Sequence, residues 1–321
     1  MVRLLCIALL AAAAVPAAYA QNYPSKPLRL VIPFAAGGGP DIQARQFGQK
    51  YAEMTGQPVI TENKVGAGGV LAAQYAAAAP ADGYTVLLGS TTPLVQKHLA
   101  PDLKFDPIAD FAPVTNMVTT PTVLVVRADH AAKTALDLVA MAKAAAGKMN
   151  YGSGGIGTAA HLAGATFEAL SGFKAAHIPL KGSVEIQASL LRGDTDFAFP
   201  IAGTAIPAVQ SGKLRALGVT SAKRMATLPG VPTMRELMKD ELYVQESWYG
   251  LWVPAKTPPD IQRALHAIAV KVIADPALEK LFEATGGSAD PSRSPAAYVA
   301  FVKSEYEKWG RIVKLTGAKA D

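Results

Sequence analysis

The chain has 321 residues, half of them apolar and 17% charged, with a formal charge of +6. That length is long for one core and comfortable for two lobes, and the composition excludes a disordered chain. The 31 Lys and Arg are scattered, with no basic run, so nucleic acid is excluded as a partner while small anions are weakly favoured.

Residues 1–20 read as an export signal. Met1-Val2-Arg3 is a short basic head, Leu4 to Val15 an apolar stretch, and Ala18-Tyr19-Ala20 a small-x-small cleavage site before Gln21. The stretch is too short to span a bilayer comfortably, and none later is long enough. Loss of Arg3 leaves +5, because residues 1–20 hold no Asp or Glu. Cys6, the single cysteine, leaves with it, so the expected mature chain has no disulfide.

Leu28 to Phe34 reads as a buried strand, followed by the small-residue loop Ala35 to Gly39. Pro40-Asp41 opens a helix, with Ala44, Phe47, Tyr51 and Met54 on its inner face. Val59 to Glu62 is a second strand. Gly66-Ala67-Gly68-Gly69 precedes a helix from Val70 to Ala79, and Asp82-Gly83 turns into the strand Tyr84 to Leu88. This repeated β-loop-α order predicts a parallel sheet with helices on both faces.

The pattern recurs downstream. Strands are expected at Val123 to Val126, Ala175 to Leu180, Thr195 to Phe199 and Leu214 to Thr220. Helices are expected at Leu136 to Ala146, Ala159 to Leu170, Val184 to Leu191 and Gly203 to Gln210. Two amphipathic helices, about Pro259 to Ala274 and Pro295 to Leu315, close the chain. Two α/β lobes leave a cleft at the carboxyl ends of their strands, where ligands bind.

The most informative run is Tyr151-Gly-Ser-Gly-Gly-Ile-Gly-Thr158, between a strand and a helix. A helix N-terminus carries unpaired N–H donors and the positive dipole end, so it attracts anions. Gly152-x-Gly154-x-x-Gly157 formally fits a dinucleotide loop, but the next strand ends in Lys181, where that motif needs an acid. Ser153 and Thr158 add hydroxyls. His161, in the first helical turn, either faces the ligand or serves as a surface or capping histidine. The loop Phe34 to Gly39 and the cluster Gly89-Ser90-Thr91-Thr92 follow other strands and face the same cleft if the lobes oppose each other. Asp41 is better suited to its helix N-terminus than to an anion. Trp248, Tyr249 and Trp252 are core or cleft-lining residues.

Catalytic motifs are missing. No Ser lies in a G-x-S-x-G elbow, and Thr158 stands where a phosphate-binding loop needs Lys. The five histidines show no zinc spacing, so neither metal nor cofactor is expected. Binding without chemistry is the expectation.

Together these motifs resemble Bug-family (TctC-like) solute-binding proteins, the extracytoplasmic receptors of tripartite tricarboxylate transporters. The resemblance begins at Tyr23-Pro24-Ser25-Lys26-Pro27-Leu28-Arg29-Leu30-Val31-Ile32-Pro33-Phe34 and continues through Glu62-Asn63, Gly66-Ala67-Gly68-Gly69 and Ala81-Asp82-Gly83-Tyr84-Thr85. It extends through Tyr151 to Thr158 with His161-Leu162, Pro179-Leu180-Lys181-Gly182, Gly212 to Leu217, Leu228 to Thr233 and Trp248-Tyr249-Gly250-Leu251. It covers essentially all of residues 22–317.

The resemblance implies an α/β, two-lobed periplasmic-binding-protein fold, type II-like, each lobe a mainly parallel sheet flanked by helices. Residues 21–120 and 222–321 would form lobe I, and 121–221 lobe II, with hinges at Asn116–Thr122 and Thr220–Lys223. A ligand carboxylate would bind at the helix after Gly157, through Ser153, Gly154, Thr158 and His161. Phe34, Ala35, Ala36 and Gly38 would hold it through ordered waters; the family usually carries two prolines where this chain has Ala35-Ala36. Ser90, Thr91, Thr92, Pro200, Ala202 and Gly203 would face the distal end, with Lys181 and Arg192 the nearest cations. The implied protein is a periplasmic monomer that delivers its ligand to a membrane permease; the alternative partner is a sensor kinase. Dicarboxylates, citrate-like acids, aromatic acids, amino acids and nicotinate-like compounds all fit a one-carboxylate anchor.

Overall fold

The computed structural model describes residues 23–319, so the expected export signal lies outside the described residues. The first strand, β1 (Leu28–Ile32), buries Leu28, Leu30, Val31 and Ile32 completely, as a strand covered on both faces must. Helix α1 (Gly39–Thr55) packs Ala44, Phe47 and Tyr51 inward and stops at Gly56, whose φ of 70° suits glycine. Next come β2 (Val59–Asn63), a 3-10 turn (Ala67–Gly69), α2 (Val70–Ala77), β3 (Thr85–Ser90), α3 (Thr91–Leu99) and β4 (Phe111–Pro121).

Strand β4 continues through Thr122 into a second sheet. That sheet contains β5 (Val123–Arg127), α4 (Ala135–Ala144), β6 (Asn150–Ser153), α5 (Ala159–Ser171) and β7 (Ala176–Pro179). They are followed by α6 (Ser183–Arg192), β8 (Phe197–Ala198), α7 (Ala202–Gln210), β9 (Leu214–Val219) and the short α8 (Met234–Met238). The chain then re-enters the first sheet as β10 (Glu246–Pro254), and ends with α9 (Pro259–Ile273), α10 (Pro276–Ala284), β11 (Ser288–Ala289) and α11 (Pro295–Thr316).

The sheets run β11-β4-β10-β3-β1-β2 and β7-β6-β8-β5-β9. Both are mixed, where a mainly parallel arrangement was expected. β1 pairs parallel with β2 and β3, but β10 runs antiparallel to β3 and β4, and β5 antiparallel to β8 and β9. The antiparallel pairs are the crossing strands, which leave one lobe and return to it. Each sheet carries core on both faces. In lobe I, Leu30, Val86 and Leu251 lie on one side and Val31, Leu87 and Trp252 on the other.

Three buried residues tie the crossings together. Thr122 N–H donates to Thr220 Oγ1 at 2.9 Å, and Thr220 Oγ1 lies 2.7 Å from the Gln245 carbonyl, to which it donates. Of the expected hinge Asn116–Thr122, the residues from Asn116 to Pro121 belong to strand β4, opposite β10. Met234 and Tyr243 pack with Phe167, Phe197 and Leu217 in the second core. The chain pairs with the first sheet again from Glu246. The lobes also touch through an apolar cluster, in which Val95 of α3 and Leu162 of α5 meet Trp309 and Ile312 of α11.

Candidate functional site

A cavity of about 210 Å³ lies between the lobes. Seven of the expected residues line it: Phe34, Ala35, Gly38, Thr91, Thr92, Gly154 and Thr158. Phe34 and Tyr249 meet edge to face at 5.4 Å and, with Ile186 and Ile201, give it an apolar body. Lys181 is the only charged side chain in the lining.

Six helix N-termini reach this wall. Lobe I contributes α1 through Gly38 and Pro40, α2 through Gly69, and α3 through Thr91 and Thr92. Lobe II contributes α5 through Thr158, Ala159 and Ala160, α6 through Gly182 and Ser183, and α7 through Ile201. Only α5 has a side-chain cap; the other five have none. Each N-terminus carries roughly half a positive charge and unpaired donors, so the wall favours an anion.

The loop after β1 is braced from behind. Asp41, 2% exposed, accepts the Gly37 N–H at 2.9 Å and the Asn63 amide at 2.8 Å, and it pairs with Arg45. Asn63 in turn donates to the Phe34 carbonyl at 2.9 Å. Burial alone would raise the Asp41 carboxyl, but the bonds from Arg45, Asn63 and Gly37 hold it below the usual range. Asp41 thus shapes the loop and does not line the cavity.

The loop from Gly152 to Thr158 is tied together by its own hydroxyls and by α5. Ser153 Oγ accepts the Gly155 N–H at 3.1 Å and shares a 2.6 Å bond with His177 Nε2. Thr158 Oγ1 donates to the Gly155 carbonyl at 2.7 Å and caps α5 by accepting the His161 N–H. The Gly157 N–H donates to His161 Nδ1 at 3.2 Å. Among the described residues, the Ala159 and Ala160 N–H groups have no protein acceptor, and both residues line the cavity. The Ser153 and Thr158 hydroxyls, expected to meet a ligand, are therefore internal struts, and in this loop backbone amides are the available donors.

Eight expected contact residues, and the expected cation Arg192, lie off the cavity wall. Ser153 and His161 are buried behind the glycine loop, and Gly157 backs onto Gln96 with φ +79°. Ala36 is exposed on the outer side of its loop, while Ser90 is 1% exposed behind the wall, paired with Tyr249 across the sheet. The Pro200 carbonyl accepts the Val123 N–H at the lobe junction. Ala202 and Gly203 pack against Thr285 and Gly286 of the other lobe. Arg192 pairs with Asp194 at the surface.

Sequence reasoning missed Ser247 and Ile186, left Tyr249 open between core and cleft, and reached Ile201 only as part of the segment from Phe199 to Thr204. Ser247 and Tyr249 alternate along β10, whose position between β3 and β4 is a long-range pairing with no local signal. Ser183 could have been found, because Lys181-Gly182-Ser183 follows a strand and opens a helix like the other cavity loops.

Residues 43–318 match the family described as tripartite tricarboxylate transporter family receptor. The fold is similar to that of the periplasmic binding protein BugD, at 30% identity and TM-score 0.84, covering 93% of this chain and 100% of that one. Rpa4515 of R. palustris, solved with adipate, is similar at 27% identity and TM-score 0.84, covering 92% and 99%. MatC of Rhodopseudomonas palustris, solved with bound malate, is similar at 27% identity and TM-score 0.82, covering 91% and 100%.

Proposed function

Because the chain belongs to the tripartite tricarboxylate transporter receptor family, a family of periplasmic solute receptors and not of enzymes, we propose that it captures a small carboxylate between its lobes. It then hands that ligand to a membrane permease. One observation carries the reading: six helix N-termini meet one cavity whose lining contains no carboxylate and a single cation, Lys181. The adipate and malate of the two R. palustris proteins agree with an acid as ligand. The anchor is the first turn of α5, where the Ala159 and Ala160 amides face the cavity. Thr91, Thr92, Gly38 and Phe34 meet the ligand from lobe I. A ligand that touches both lobes binds the closed form more tightly and so drives closure.

The test is a thermal-shift screen of the chain from Gln21 against mono-, di- and tricarboxylates, aromatic acids and amino acids. A ligand far above its dissociation constant raises the melting temperature. The variant Ala159→Pro removes one anchoring amide, and proline is tolerated at the first position of a helix. A hit that this variant loses supports the anchor. A folded, ligand-free protein that responds to no acid overturns the reading.

A further inference from the structure

We infer that His161 is a positioning residue: its unprotonated Nδ1 takes the Gly157 amide and, beside the His177–Ser153 pair, decides which amides of the loop face the ligand. The inference rests on the carboxylate reading above, but its first measurement does not need a ligand.

Four N–H donors of the loop and of the first turn of α5 have protein acceptors. Gly157 N–H goes to His161 Nδ1, Gly155 N–H to Ser153 Oγ, Thr158 N–H to the Gly155 carbonyl and His161 N–H to Thr158 Oγ1. Two of these four acceptors are held by histidines. The His161 and His177 rings lie 4.4 Å apart, and His177 Nε2 shares its 2.6 Å bond with Ser153 Oγ. Among the described residues, the N–H groups of Gly154, Ile156, Ala159 and Ala160 have no protein acceptor, and of these Gly154, Ala159 and Ala160 line the cavity. Without the His161 acceptor, the buried Gly157 N–H must seek another partner, and the turn that aims α5 at the cavity loses its strut. Gly157 has little room to adapt, because a side chain there would meet Gln96 Nε2 at 2.8 Å.

An acceptor at Nδ1 requires a neutral ring with its proton on Nε2. The surroundings favour that state. His161 is 7% exposed, and burial, with the neighbouring His177, pushes it down to about 4. On β6 the nearby titratable group is Tyr151, whose ring lies 5.1 Å from that of His177 and whose phenol burial pushes up. The helices packed on the other side of α5 present Val95, Trp309 and Ile312 around Leu162, all apolar.

The experiment compares the wild type with His161→Asn, which keeps an acceptor but cannot titrate, and His161→Leu, which has none. Imidazole nitrogen shifts at neutral pH should show Nδ1 unprotonated, and the Gly157 amide should follow the acid titration of His161 in the wild type only. With adipate as probe, His161→Asn should bind within about threefold of wild type and His161→Leu roughly tenfold more weakly, the loss expected for one orphaned donor. A proton on Nδ1, a Gly157 amide that ignores the titration, or wild-type adipate binding by a folded His161→Leu overturns the inference. If the wild type ignores adipate, the nitrogen and amide shifts decide alone, and the failure falls on the ligand class. If His161→Leu does not fold, those shifts and His161→Asn decide.

Discussion

Gln96 donates its side-chain amide to the Ile156 carbonyl at 3.0 Å, joining α3 of lobe I to the glycine loop of lobe II beside the cavity. The side chain runs between two glycines: an added Cβ at Gly68 would collide with it, and one at Gly157 would reach it at 2.8 Å. The bond crosses from one lobe to the other, so it is expected to favour the form in which they meet. Gln96→Ala should leave the melting temperature of the free protein nearly unchanged and weaken the best-binding carboxylate about fivefold, as expected for a net loss near 1 kcal/mol. Calorimetry at fixed pH checks this; unchanged affinity would mean that the bond contributes nothing to closure.

Gly203 offers a sharper test of closure. A side chain there would run into the Thr285 carbonyl of the opposite lobe, which is backbone and cannot turn away. Gly203→Val should therefore fold with normal helix content but resist closing. Saturating ligand should fail to shrink the particle in small-angle scattering, and affinity should fall at least about tenfold, because the ligand must offset the clash. A variant that closes like the wild type would show that Gly203 and Thr285 separate in the liganded form.

Much of this architecture was legible locally. The run Leu28 to Ile32 is apolar at four of five positions, and the glycine loops sit where strand passes to helix, so β1, α1 and α5 announce themselves. β4 does not, because Pro113, Thr115, Asn116, Thr119 and Thr120 carry neither period, and burial comes from β10 and β11 on its two sides. Nor did α3 stand out, because it starts in a Ser-Thr-Thr-Pro sequence that reads as loop. At the site, the loops were readable but the side-chain directions were not. Ser153 and His161 have the right chemistry for a ligand, yet both turn inward to hold Gly155 and Gly157. Which atoms a loop spends on itself is settled by its fold, and residue type alone does not reveal it.

The buried His161 ring also sets an acid limit on stability. Its folded value of about 4 lies below the 6.5 of a free histidine. Between those values the unfolded chain binds the proton and the folded chain does not, so stability falls as pH drops from 6.5 to 4 and is flat on either side for this group. The full effect is roughly 3 kcal/mol at 1.36 kcal/mol per unit. Urea midpoints across this range should fall more steeply for the wild type than for His161→Asn. Parallel curves would show that other groups govern the acid limb.

Lys181 should separate ligands by charge. It is exposed at the cavity wall, its backbone N–H donates to Glu185 at 2.6 Å, and among the described residues its ammonium has no carboxylate partner. A monocarboxylate anchored on the α5 amides gains little from a cation at the rim, whereas a second carboxylate reaching the rim gains an attraction that water and salt screen. Lys181→Met should thus leave a monocarboxylate nearly unaffected and weaken a dicarboxylate by about threefold, in keeping with exposed charge pairs of 1 kcal/mol or less. The difference should shrink between 0.01 and 1 M salt, as the screening length falls from about 30 to about 3 Å. Equal losses for both acids, or a loss insensitive to salt, would mean that the lysine stem shapes the entrance and its charge selects nothing.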